Sequence, residues 1–130
     1  MPTQSDKPVL YEYAVVRYVP RVEREEFINV GLIMMCNRRR LLCRLHPDFE
    51  RIACFAPCHT KEEISAQLAS FNLIASAARE GGPIAMLEPA ERFRWLTAVR
   101  SSCIQTSRPH PGHTADPEAT FDRLFAELVL

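Results

Sequence analysis

The stretch Tyr11–Cys36, YEYAVVRYVPRVEREEFINVGLIMMC, sets the terms for everything else in the chain. Tyr11 to Val19 is rich in β-branched and aromatic residues, which suit a pleated, half-buried surface. Pro20 follows, removing a ladder donor and ending the strand. Ile28–Cys36 is apolar almost throughout, the pattern of a central strand covered on both faces. Asn29 and Gly31 break that pattern, and Gly31 marks a bulge or a close backbone approach. The corner between the strands, Arg21-Val22-Glu23-Arg24-Glu25-Glu26, is nearly all charge.

Further along, Asn37-Arg38-Arg39-Arg40 makes a turn and Leu41–His46 resumes the apolar pattern, which predicts a third strand of a meander. Phe49–Cys58, broken by Pro57, reads as one helical turn and a loop. Thr60-Lys61-Glu62-Glu63 is a capping box, and Ile64, Leu68, Phe71, Ala75 and Ala78 form a stripe at helical spacing. Gly81-Gly82-Pro83 is the expected stop. Ser101–Thr106 is a candidate fourth strand, and Pro109, Pro111 and Gly112 read as a loop. Asp116-Pro117-Glu118 opens a last helix whose buried stripe is Phe121, Leu124, Phe125 and Leu128. The expected fold is α+β: a small antiparallel sheet of three to four strands packed against two amphipathic helices. Residues 1–10 are expected to be a flexible lead-in, and 11–130 a single domain.

Size and charge narrow the functions. A chain of 130 residues can bury a core without staples. Its formal net charge of zero argues against broad electrostatic binding of nucleic acid. MPTQSDKP holds no apolar leader segment, and no apolar run approaches a membrane span. With five cysteines and no export signal, the expectation is a cytoplasmic protein with reduced thiols.

Three blocks carry a family resemblance: YEYAVVRYVPRVEREEFINVGLIM, RFRWLTAVRSS and GHTADPEATFDRLFAELV. In this order they resemble the bacterial domain of unknown function numbered 3037, over Tyr11 to Val129. The resemblance implies a stand-alone bacterial protein encoded beside kinases similar to the HipA toxins of toxin–antitoxin modules, hence a protein partner or a regulatory role. Positions matching its blocks include Arg17, Tyr18, Glu26, Phe27, Asn29, Gly31, Arg94, Trp95, Thr97, Arg100 and Ser101. Pro109-His110-Pro111 departs from the pattern.

The candidate binding residues are Arg17, Glu26, Asn29, Arg94, Trp95, Arg100 and Ser101. Arg17, Glu26 and Asn29 are expected together at one sheet end, where an arginine, a carboxylate and an amide can grip a phosphate or a partner's backbone. Arg92, Arg94 and Arg100 flank Phe93 and Trp95, an arrangement suited to phosphate or single-stranded nucleic acid. The plainer alternative makes Phe93, Trp95 and Leu96 core residues and the arginines solvated or paired to the Glu23–Glu26 corner. Cys54, Cys58 and His59, with His46 upstream, are a poor zinc set, because the spacing lacks a second matched ligand pair. No nucleophile elbow and no phosphate loop is present, so neither a catalytic residue nor a metal nor a cofactor is assigned. The expected function is a non-enzymatic interaction or regulatory module, for which the resemblance implies a HipA-like kinase as partner, and an open edge strand offers a route to a homodimer. The alternative is a phosphate-handling or nucleic-acid processing domain, with Arg17, Arg94 and Arg100 on phosphate and Glu26 as general base or metal-binding carboxylate.

Overall fold

The computed structural model describes residues 8–55, 58–98 and 102–130. Strands β1 (Val9–Tyr18), β2 (Ile28–Cys36) and β3 (Arg40–Leu45) form the antiparallel meander that the apolar runs predict. Helices α1 (Phe49–Phe55), α2 (Lys61–Ala75) and α3 (Pro89–Leu96) follow, then β4 (Ile104–Thr106), β5 (His110–Thr114) and α4 (Pro117–Leu128). The five strands make one α+β antiparallel sheet in the order β3-β2-β1-β4, with β5 also on β1.

Alternation along the strands gives the sheet two apolar faces. Ala14, Val16, Tyr18, Val30, Ile33 and Met35 pack with Ile64, Leu68 and Phe71 of α2 and with Phe93 and Leu96 of α3. Val15, Leu32, Met34 and Cys36 pack with Phe121, Leu124 and Phe125 of α4. The helices therefore divide between the two faces, α4 alone on one. This explains why β2 reads as apolar without alternation.

Of the bulge or close approach expected at Gly31, the close approach falls at Gly31 and a bulge at the neighbouring Val30. Val16 pairs with Gly31, but Arg17 pairs with Asn29, so Val30 is an extra residue in β2. An extra residue shifts the side-chain phase by one. Val30 stays in the α2–α3 core while Asn29 comes to the same face as Arg17. A Cβ on Gly31 would lie 2.6 Å from Leu45 Cδ2 and 2.8 Å from the Arg44 carbonyl oxygen, so β3 can pair closely only because that atom is missing.

A second irregularity joins β4 to β5. Both pair with β1, and the break between them is bridged by Ser107. Its N–H donates to the Val15 carbonyl at 2.9 Å, while its Oγ accepts the Val15 N–H at 2.9 Å and donates to the Arg108 carbonyl at 3.0 Å. A hydroxyl thus replaces the missing ladder acceptor. Ser107→Ala leaves a buried N–H without a partner, which costs about 1–3 kcal/mol. The expected result is a lower urea midpoint at unchanged slope; an unchanged midpoint would show that the Val15 amide finds another acceptor.

Three sequence expectations need correction. The segment 110–114, read as a loop, is a strand, because an edge strand can carry prolines at positions that owe no hydrogen bond. Residues 49–55 are a helix rather than one turn. Helix α2 ends at Ala75, before Gly81-Gly82. Ala77, at φ 59°, closes it with the Ala78 N–H on the Leu73 carbonyl and the Ala77 N–H on the Ile74 carbonyl. That is a Schellman ending with alanine in the place glycine favours. The start of α2 is as expected: Thr60 Oγ1 accepts the Glu63 N–H at 3.0 Å and Glu63 accepts the Thr60 N–H at 2.8 Å. Asp116 likewise caps α4 through the Ala119 N–H.

Candidate functional site

Beyond the end of α4 the sheet face turns polar. Cross-strand pairing puts Asn29 of β2, Arg17 of β1 and Gln105 of β4 in one row. Asn29 donates from Nδ2 to the Leu128 carbonyl at 2.9 Å, tying the end of α4 to the sheet. Gln105 donates to the Ser102 carbonyl at 2.8 Å. Arg17 stands between them, its guanidinium carbon 3.8 Å from the centroid of the Phe27 ring.

The polar corner is under-satisfied. Arg17 Nε and Asn29 Oδ1 are buried there without a hydrogen-bond partner among the described residues. Arg17 makes no ion pair among them either, although Glu23, Glu25 and Glu26 lie on the adjoining turn. Burial pulls the Arg17 guanidinium below its ordinary value, though an arginine remains charged. A cation–π contact of this kind is worth about 0.5–2 kcal/mol and leaves the positive charge uncompensated. Around Arg17 opens a cleft of about 350 Å³, lined also by Val19, Val22, Glu23, Glu25, Phe27 and Gln105. Phe27 is 41% exposed, an aromatic ring left at the surface.

The sequence-derived candidates fall in separate places. Arg17 and Asn29 are neighbours as expected. Glu26 does not join them: its carboxylate takes Arg24 Nε at 2.7 Å and Nη2 at 3.2 Å. That hydrogen bond from Arg24 holds the Glu26 carboxyl below the usual carboxylate range. Arg94 and Trp95 belong to α3, whose apolar residues pack on the sheet face opposite to α4. Arg94 is exposed, while Trp95 borders a second cleft of about 280 Å³ with Phe71, Leu96 and Ile104. Arg100 and Ser101 lie outside the described residues. The fold therefore does not bring Arg17, Arg94 and Glu26 into one pocket.

The arginine–aromatic run resolves residue by residue. Phe93 and Leu96 are core, each 2% exposed. Arg92 is buried too, and donates to the Ile74, Ala75 and Leu87 carbonyls at 3.1, 2.7 and 3.0 Å. It caps the C-terminal end of α2, where a cation is favoured by the helix dipole.

Of the cysteine–histidine cluster, His59 packs against the sheet, while Cys54 and Cys58 are exposed free thiols. His59 Nδ1 lies 2.8 Å from the Tyr18 hydroxyl, with the rings edge-on. Burial, then Cys103, Cys58 and Glu63 nearby, push the Tyr18 hydroxyl up. Among the described residues no three His, Cys, Asp or Glu side chains are grouped to hold a metal ion. Burial raises the Cys36 and Cys103 thiols and pushes Cys43 up to about 12, so these three stay protonated near neutral pH.

Phe27 and Gln105 were not among the site residues expected from sequence, nor were Glu23 and Glu25. An aromatic residue closing a run of charge at the start of a strand was the available signal for Phe27. Nothing local to Gln105 indicates its pairing with Arg17.

Fold and site together define an α+β antiparallel-sheet domain with a mixed-charge cleft at one sheet end. The chain matches the model of the family described as protein of unknown function (DUF3037) over residues 13–129, and it belongs to that family. No curated protein and no solved structure matches it. No helix among the described residues is long and apolar enough to cross a membrane.

Proposed function

We propose that this protein is a bacterial cytoplasmic interaction or regulatory module that acts without catalysis, recognising a protein partner through the Arg17 cleft. The observation that carries this is Arg17 itself. It is a half-buried cation with an orphaned Nε, stacked on a surface phenylalanine and left without a counter-charge. Desolvating a charge without pairing it is costly, so such a group is best explained by an anionic partner that completes it. Arginine and aromatic residues are also the types that dominate the energetics of protein interfaces. A HipA-like kinase is the partner suggested by the resemblance of the three sequence blocks. Trp95, 40% exposed on the opposite face, is a candidate second anchor.

The phosphate-handling alternative draws no support from the geometry, because Arg17 and Arg94 sit on opposite faces and Glu26 is held by Arg24. The test is affinity capture from the native host with tagged protein. Wild type recovers one stoichiometric partner and Arg17→Ala loses it; equal recovery by both would refute the reading.

A further inference from the structure

We infer that the Arg17 cleft selects a zwitterionic pair of side chains on the partner: a carboxylate set on Arg17, next to an ammonium or guanidinium set on Glu23 and Glu25. This rests on the preceding reading that the cleft is a recognition surface, and it specifies the chemistry recognised.

The charges lining the cleft are one guanidinium and two carboxylates. Arg17 Nε is already buried, so the terminal nitrogens are what Arg17 can offer, in the fork that fits a carboxylate. Glu23 and Glu25 are exposed, and neither side chain makes a hydrogen bond or ion pair among the described residues. Arg24, hydrogen-bonded to Glu26, is the nearby cation Glu23 feels, and both carboxylates are held in place by backbone: Glu23 lies in a single 3-10 turn, Val22–Arg24, which Glu25 closes at φ 55° with its N–H on the Val22 carbonyl. Two acidic groups beside one arginine repel a dianion such as phosphate, and like-charge juxtaposition is a strong source of discrimination. An acidic residue next to a lysine or arginine satisfies all three groups together. The exposed Phe27 ring offers an apolar wall for the methylene stem of the basic side chain. A volume of about 350 Å³ admits side chains rather than a folded element.

The test follows the Arg17 Nε–Hε signal by NMR in labelled full-length protein, titrated with three probes. These are the capped dipeptides acetyl-Glu-Lys-amide and acetyl-Glu-Glu-amide, and inorganic phosphate. The zwitterionic dipeptide is expected to act at about tenfold lower concentration than either other probe, the effect of one added favourable charge contact. In Glu23→Gln/Glu25→Gln that preference falls to within about twofold. Phosphate or the di-acidic peptide binding as tightly, an unchanged preference in the double variant, or no shift with any probe would each overturn the inference. Partner capture separates the two levels. Loss of capture in Arg17→Ala with the wrong probe preference removes the ligand class and leaves the interaction module standing. Undiminished capture removes the module itself.

Discussion

Gly31→Ala is expected to destabilise the domain by about 2–3 kcal/mol, a fall in Tm of roughly 6–15 °C for a chain of this size. The added Cβ would sit 2.6 Å from Leu45 Cδ2 and 2.8 Å from the Arg44 carbonyl oxygen. The leucine methyl can rotate away; the carbonyl belongs to the β2–β3 ladder and cannot move alone. Separating the strands weakens the pairings Gly31↔Leu45 and Leu32↔Arg44, and it disturbs the bulge that brings Asn29 beside Arg17. Differential scanning calorimetry reads the loss directly. A Tm within about 2 °C of wild type would mean that β3 stands further from β2 than described, since 1 kcal/mol corresponds to several degrees at this size.

Arg17→Ala is expected to abolish partner capture while leaving the fold intact. Loss of a central interface arginine commonly costs 2 kcal/mol or more, which is roughly thirtyfold or greater in affinity. The same change loses the contact with Phe27 but relieves a desolvated, unpaired charge in the free protein, so stability is expected to change little. Weaker binding without weaker folding is the signature of a residue kept for recognition. Arg17→Lys is expected to restore only part of the binding, because an ammonium lacks the planar fork and stacks poorly on Phe27. Capture should be read alongside a urea melt of each variant. A large loss of stability in Arg17→Ala would instead make Arg17 a structural residue.

The meander was legible because its signals are local. β2 begins and ends where its apolar run does, and Thr60-Lys61-Glu62-Glu63 and Asp116-Pro117 mark their helices by side chains within three residues of the ends. Helix α3 was missed because it is only eight residues long, has no side-chain cap at Glu88, and is anchored by Arg92 to a helix end seventeen or eighteen positions away. β5 was missed because Pro109, Pro111 and Gly112 are turn residues everywhere except on an edge such as this. There Gly112 also leaves room for the Tyr11 ring, which a Cβ would meet at 2.5 Å. At the candidate site, Arg17 and Asn29 were found as strand-end polar residues. Glu26 was wrongly joined to them, since the nearer Arg24 takes it. The cleft itself is made by register: Gly31 signalled the irregularity next to Val30, but the pairing of Arg17 with Gln105 leaves no trace within either strand's own residues.

The most direct test of the central claim is to locate the contact in the cell. A photoreactive phenylalanine analogue placed at Phe27 reports on the Arg17 cleft, and the same analogue at Trp95 reports on the opposite face. Crosslinking in the native host is expected to give one discrete protein adduct from position 27, lost when Arg17→Ala is added. Adducts from position 95 alone, or from neither position, would contradict the assignment of recognition to the Arg17 cleft.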